Sequence, residues 1–134
     1  MVARDGEGAT KLVEVRASGA LTLNDARLTA RTVAGSSLFK AAVYGNDPNW
    51  GRILAAAGRS GAELDPAKAD VFVADICLMR SGQPQAFDHA AARAAMGAEA
   101  VCFRIDLNLG QFEATGWGCD LTEEYVRINA EYTT

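Results

Sequence analysis

Residues 5–17 read Asp5-Gly6-Glu7-Gly8-Ala9-Thr10-Lys11-Leu12-Val13-Glu14-Val15-Arg16-Ala17. The first part is a loop sequence in which a glycine stands on each side of Glu7. Because glycine has no Cβ, the chain can turn sharply there and another group can approach the backbone closely. The second part alternates apolar and polar side chains, which predicts a strand over 11–17 with one wet face, ended by Ser18-Gly19. A glycine-framed acid before a strand can hold an ammonium or amino group, and the same residues also suit a tight turn with solubilising charges.

The composition is that of one ordinary globular domain. The chain has 134 residues, of which 49% are hydrophobic, and its 13 basic and 17 acidic residues give a net charge of −4. This length supports a single domain over 1–134 with a real core. Since there is no basic stripe, we expect no nucleic-acid partner. Since no apolar run approaches the ~20 residues of a membrane helix, we expect no membrane partner.

The cysteines and the histidine give no metal or redox motif. Cys77, Cys102 and Cys119 are widely spaced and form no C-x-x-C pair. This pattern argues against a zinc site or a disulfide framework and favours a reducing compartment, so we expect a cytoplasmic protein. Cys77 and Cys102 stand in apolar runs and are predicted to be small buried hydrophobes. His89 follows Asp88 and is predicted to be a surface or helix-start residue.

Several helices are marked by their end residues. Residues 22–25 offer caps to a helix over 26–33, and 35–37 re-cap the chain before a second helix over 38–44. Asp88 and Gly97 bound a third helix over 88–96. Between these helices, 70–79 is predicted to be one β-rich run, followed by a turn over 80–84.

The loop Gly45-Asn46-Asp47-Pro48-Asn49-Trp50-Gly51-Arg52 supports two interpretations. Pro48 restricts the chain, and the loop feeds a helix N-terminus, where anions and polar ligands bind. Equally, it is a structural loop whose Trp50 fills the core. We expect Asp47 or Asn49 to cap the helix that begins near Gly51, and Trp50 to be mostly buried.

The C-terminal third completes the fold class. Residues 101–107 and 111–117 both alternate and are predicted to form an antiparallel hairpin. Residues 122–129, with acids in the first turn, are predicted to form a short helix, followed by a polar tail over 130–134. Since strands and helices do not alternate strictly, the sequence predicts an α+β fold with a mixed or antiparallel sheet packed with helices.

Three stretches resemble the ornithine acetyltransferase (glutamate N-acetyltransferase) family. They are Asp5-Gly6-Glu7-Gly8-Ala9-Thr10-Lys11, the segment 37–53 with its Gly-Asn-Asp-Pro-Asn-Trp-Gly-Arg loop, and the end of the chain from Ala114-Thr115-Gly116-Trp117 to Thr134. The chain resembles the C-terminal part of the family's β chain. The resemblance implies the C-terminal part of the DmpA/ArgJ-like fold.

The family resemblance implies an acyl transfer in arginine biosynthesis. An acetyl group moves from N-acetylornithine to glutamate and ornithine is released; in bifunctional members acetyl-CoA is also a donor. No cofactor is implied apart from acetyl-CoA as a possible co-substrate. The precursor cleaves itself into α and β chains, and the new N-terminal Thr is the nucleophile. The implied partners of this chain are the α chain and the N-terminal part of the β chain, in a heterotetramer.

The family's catalytic groups are not expected in this chain. The Ala-Thr cleavage junction and the oxyanion hole should lie upstream of Met1, and Ala9-Thr10 is inside the glycine loop rather than at a cleavage motif. We therefore assign no catalytic residue and expect the chain alone to be inactive. The alternative is a non-catalytic fragment of the family that binds amino acids or the partner chain.

The substrate-binding positions implied by the resemblance are Glu7, Asn129 and Thr134. Glu7 can pair with the side-chain ammonium of ornithine, and Asn129 can donate and accept hydrogen bonds towards an α-carboxylate and an α-amine. Thr134 offers a hydroxyl. Because one amino acid spans only a few ångströms, we expect all three to line a single pocket.

Overall fold

The computed structural model describes residues 11–119 and, through its backbone, the segment 126–132. It is an α+β fold with four helices and one mixed sheet, as the sequence predicts. The strands are β1 Leu12–Ala20, β2 Asp70–Val73, β3 Ile76–Arg80, β4 Gln83–Pro84, β5 Ala100–Asp106, β6 Phe112–Cys119 and β7 Val126–Tyr132. The helices are α1 Leu23–Ala34, α2 Ser37–Tyr44, α3 Trp50–Gly58 and α4 His89–Met96.

The sheet has the strand order β4-β3-β2-β5-β1-β6-β7, so the first strand lies inside it. β1 is parallel to β5, with Val15 opposite Phe103, and antiparallel to β6, with Val15 opposite Gly116. The predicted hairpin of 101–107 with 111–117 is therefore wrong, because β1 separates these two strands. Alternation correctly predicted these two strands, but it does not specify which strands lie beside them.

The loop between β5 and β6 explains why they do not pair. Leu107 N–H donates to the Ser18 carbonyl at 2.8 Å, and Gly110 N–H donates to the Gly19 carbonyl at 2.8 Å. These bonds carry the chain across the end of β1. Close packing requires glycine at two of these positions: a Cβ on Gly110 would lie 2.4 Å from the Ala20 carbonyl oxygen, and Gly19 has φ +68°.

Three further expectations are corrected. β1 continues through Ser18 and Gly19 to Ala20 instead of ending there, with a register shift between Ala17 and Ala20. The predicted single run over 70–79 is a hairpin of β2 and β3, turned at Ala74, which adopts φ +53° without a glycine to signal it. The helix predicted over 122–129 is wrong for 126–129, which belong to β7; residues 122–125 lie outside the described residues.

β7 has a clear physical reason to be a strand. Apolar residues at 126, 128, 130 and 132 alternate with polar residues at 127, 129 and 131. That period of two is typical of a strand, and Val126 and Ile128 are β-branched. The acids at 123 and 124 led to the helix prediction, and within 126–129 the β-pairing with β6 outweighs that signal.

The core lies between the helices and one face of the sheet. Alternate residues of β1 and β5, such as Val15 and Phe103, are almost fully buried and join one cluster with residues from all four helices. The Phe39 ring of α2 meets Phe103 edge to face, with 5.0 Å between ring centroids. The helix caps predicted from the sequence are confirmed: Thr22, Ser36 and Asp88 each accept a hydrogen bond from a backbone N–H in the first turn of the helix that follows. No helix in the described ranges, 11–119 with the strand at 126–132, is long and apolar enough to span a membrane.

Candidate functional site

Parts of the three motif stretches meet at one end of the sheet. β1 begins at Leu12, immediately after the glycine loop, and Leu12 pairs with Cys119 at the end of β6. Gly118 pairs in turn with Val126 at the start of β7. The strand ends that carry the first and third motifs are therefore adjacent.

Lys11 connects the first motif to the second. Its ammonium group donates a hydrogen bond to the Val43 carbonyl at 2.8 Å, in the last turn of α2, and another to the Asn46 side-chain carbonyl. A cation is favoured at this position because the C-terminus of a helix carries a partial negative charge. The end of the glycine loop is thus attached to the loop over 45–49.

The 45–49 loop is held by its own hydrogen bonds. Asn46 has the left-handed φ of +55°, and Asp47 N–H donates to the Ala42 carbonyl at 2.8 Å. Asn49 donates through Nδ2 to Asp47 Oδ2 at 3.2 Å, and its Oδ1 accepts from Arg52 N–H at 3.0 Å. Asn49 is the N-cap of α3, which confirms the predicted capping by one of the two residues.

Of the two interpretations of this loop, the structure supports the structural one. Trp50 is partly buried and packs against the core cluster, and Pro48 is buried. Asp47 is exposed at the loop surface, which leaves its carboxylate at the solvent boundary. The loop is therefore rigid, and ligand binding by it stays a prediction.

The ArgJ family model matches residues 1–134. The chain belongs to the ArgJ family. It is 58% identical over 133 residues to the arginine biosynthesis bifunctional protein ArgJ of Symbiobacterium thermophilum, covering 99% of this chain and 33% of the relative. It is 56% identical over 134 residues to the protein of the same name from Thermus thermophilus, covering 100% of this chain and 35% of the relative. The chain therefore spans about a third of the length of these curated relatives.

A solved structure confirms the fold class. The crystal structure of the arginine biosynthesis bifunctional protein ArgJ of Bacillus halodurans superposes with a TM-score of 0.85 at 41% sequence identity. The match covers 90% of this chain and 57% of that one. The mixed sheet with four helices is therefore an ArgJ fold.

Of the three substrate-binding positions implied by the ArgJ resemblance, one lies in the described part. Asn129 is in the middle of β7, where its backbone pairs with Thr115. Glu7 and Thr134 lie outside the described residues. Leu12 pairs with Cys119 at one end of β6, whereas Tyr132 pairs with Phe112 at its other end. A common pocket for the three positions stays a prediction.

The two cysteines whose side chains are described are half-buried rather than fully buried. Burial raises the pKa of the Cys102 thiol above its ordinary value of 9.0; Glu14 raises it further, while Arg16 and Arg104 lower it. Cys102 is therefore held as a neutral thiol. His89 is exposed at the first position of α4, as predicted. Within the described ranges, no cluster of three or more His, Cys, Asp or Glu side chains could bind a metal ion.

The sequence patterns did not predict two groups of side-chain hydrogen bonds that join segments distant in the chain. One is the contact of Lys11 with α2, whose only signal was the position of Lys11 at the end of the glycine loop. The other is Asp70, which is 7% exposed. Its carboxylate accepts from Ser81 N–H at 2.8 Å and from Asn108 Nδ2 at 3.1 Å. Ser81 and Asn108 both adopt left-handed φ, so Asp70 stabilises two turns by hydrogen bonds. These turns lie at the end of the sheet opposite Lys11.

Proposed function

We propose that this chain is the C-terminal, substrate-binding part of an ArgJ acetyltransferase. The reaction is transfer of an acetyl group from N-acetylornithine, or from acetyl-CoA, to glutamate. The observation that carries the proposal is the match of the ArgJ family model to residues 1–134, which include all three motif stretches. The attachment of Lys11 to the 45–49 loop is consistent with a shared role for two of them.

The covalent step belongs to a segment outside these 134 residues. There the hydroxyl of an N-terminal Thr attacks the acetyl carbonyl, with its own amine as the base, and an oxyanion hole stabilises the tetrahedral intermediate. The α-nitrogen of ornithine takes up the proton that the Thr amine had removed and leaves as the α-amine. The acyl-enzyme then transfers the acetyl group to the α-amine of glutamate. The partners of this chain are the segments that carry those groups, namely the α chain and the N-terminal part of the β chain.

This chain contributes the substrate contacts. Glu7 pairs with the side-chain ammonium of ornithine, Asn129 contacts the α-carboxylate and the α-amine, and Thr134 supplies a hydroxyl. A charge-assisted hydrogen bond to Glu7 contributes about 1.5–3 kcal/mol. The 134-residue chain by itself then has no acetyl transfer activity; turnover of N-acetylornithine and glutamate by the purified chain, above a heat-denatured control, would refute this.

The decisive experiment uses the full-length enzyme with Glu7→Gln. We expect the KM for N-acetylornithine to rise about tenfold or more, because the neutral amide loses the charge-assisted bond. The matched control is Glu63→Gln, which changes an exposed acid in the connector before β2. An unchanged KM in the Glu7 variant would contradict the ammonium-binding role.

A further inference from the structure

The hydrogen bond from Lys11 is not required to cap the C-terminus of α2. The Val43 carbonyl already accepts from Asn46 N–H at 3.0 Å, and the Ala41 carbonyl accepts from Gly45 N–H at 3.2 Å. The last turn of α2 is thus capped by backbone groups within its own segment. The bond from Lys11 adds a long-range attachment, which joins positions 32 and 35 residues apart in the chain.

This attachment joins the end of the glycine motif to a loop that is held by its own hydrogen bonds. Lys11 is the last residue of the glycine motif and directly precedes β1, which begins at Leu12. On the other side, Asn46 is held in the left-handed region, a conformation that a non-glycine residue adopts at some cost. A single ammonium group, bound to the Val43 carbonyl and the Asn46 amide oxygen, therefore attaches the start of β1 to the end of α2 and to this loop.

We propose that Lys11 is a positioning residue for substrate binding. By binding Val43 and Asn46 it fixes the end of the glycine loop against the 45–49 loop, and so sets where the Glu7 carboxylate meets the substrate ammonium. This inference rests on the proposed role of Glu7. In this role Lys11 itself binds Val43 and Asn46 and does not contact the substrate.

The test is a double-mutant cycle in the full-length enzyme with Lys11→Met and Glu7→Gln. If Lys11 acts through Glu7, Lys11→Met raises the KM for N-acetylornithine about tenfold, with kcat nearly unchanged, and adds little once Glu7 is already Gln. Lys11→Arg keeps a positive charge and recovers part of the loss, although its planar fork fits the two oxygens differently. The matched control is Lys68→Met, an exposed lysine next to β2 at the opposite end of the sheet, and should leave KM unchanged.

A second variant covers the case in which Lys11→Met fails to fold. Asn46→Gly keeps the left-handed backbone accessible and removes the Asn46 side chain, including the amide oxygen that Lys11 binds. It should raise KM in the same direction by a smaller factor, and again only when Glu7 is present.

Two results separate the possible failures. If Glu7→Gln raises KM but Lys11→Met has no effect on KM, or has the same effect in both backgrounds, the positioning role is wrong while the proposed function stands. If Glu7→Gln alone leaves KM unchanged, the ammonium-binding role of Glu7 fails, and the positioning role of Lys11 fails with it.

Discussion

The two faces of the sheet are stabilised in different ways. On the helix-covered face, Val15 and Phe103 are each 1% exposed and belong to the core cluster. On the opposite face, the Arg16 and Arg104 side chains are 45% and 35% exposed. Burial of apolar area contributes far more free energy than exposed ion pairs do. From this difference we expect the helix-covered face to contribute most of the stability of the fold, and substitutions on the opposite face to cost less.

The opposite face carries several short-range polar contacts. Arg16 Nη2 lies 3.5 Å from Glu14 Oε2, and Arg104 Nη1 lies 3.3 Å from Asp106 Oδ2. In each pair the two residues are two positions apart on one strand. Arg16 and Arg104 are also direct neighbours across the parallel pair of β1 and β5. Like charges at such positions repel, so the two carboxylates mainly offset that repulsion. The Arg104 guanidinium lies over the Phe72 ring at 4.2 Å from its centroid.

The largest effect on stability is expected when a phenylalanine on each face is replaced by alanine. Phe103→Ala removes a fully buried ring and its edge contact with Phe39, so we expect the free energy of unfolding to fall by about 3–5 kcal/mol. Phe72→Ala is the control on the opposite face, where the ring is only partly buried, and should cost clearly less. Urea denaturation of both variants measures the difference. Equal losses would show that the opposite face contributes as much as the core.

The sequence predicts the two faces better than it predicts the sheet order. Alternation in 11–17 and 101–107 correctly separates Val15 and Phe103 from Arg16 and Arg104, because a strand has a period of two. It could not reveal that β1 lies between β5 and β6, since strand order depends on long-range packing and on the loop that crosses Gly19. The turn at Ala74 was hidden because alanine rarely adopts positive φ.

The predictions for the candidate site have a different basis. The family resemblance implies Glu7, Asn129 and Thr134 as substrate-binding positions, and these stay a prediction, whereas local patterns misassigned the strand that contains Asn129. The cap at Asn49 followed directly from its side-chain chemistry, because the helix start and the capping acceptor are both local. The attachment of Lys11 to α2 is non-local, and no spacing within the sequence indicates it.

A smaller effect is expected from a cap of a covering helix. Asn49→Ala removes the acceptor for Arg52 N–H at the start of α3. We expect the free energy of unfolding to fall by about 1 kcal/mol. Asn49→Ser restores a capping oxygen and should recover most of the loss. If the alanine variant matches the unsubstituted protein in thermal unfolding, α3 contributes to the core without depending on its cap.

The smallest effect on stability, and the most specific one, concerns Arg104. Arg104→Met removes a partly exposed ion pair and the contact with Phe72, so the free energy of unfolding should change by about 1 kcal/mol or less. The same change removes a charge that lowers the pKa of the Cys102 thiol, so this pKa should rise further above its ordinary value. The rate of Cys102 alkylation can be measured by peptide mass spectrometry at several alkaline pH values, and at each pH it should be lower than in the unsubstituted protein.

Because the folded thiol keeps its proton to a higher pH than the unfolded thiol, Cys102 also lowers the stability of the fold as pH rises above 9.0. The variant should steepen that decline. If alkylation becomes faster instead, access to the thiol rather than its charge environment controls this part of the opposite face.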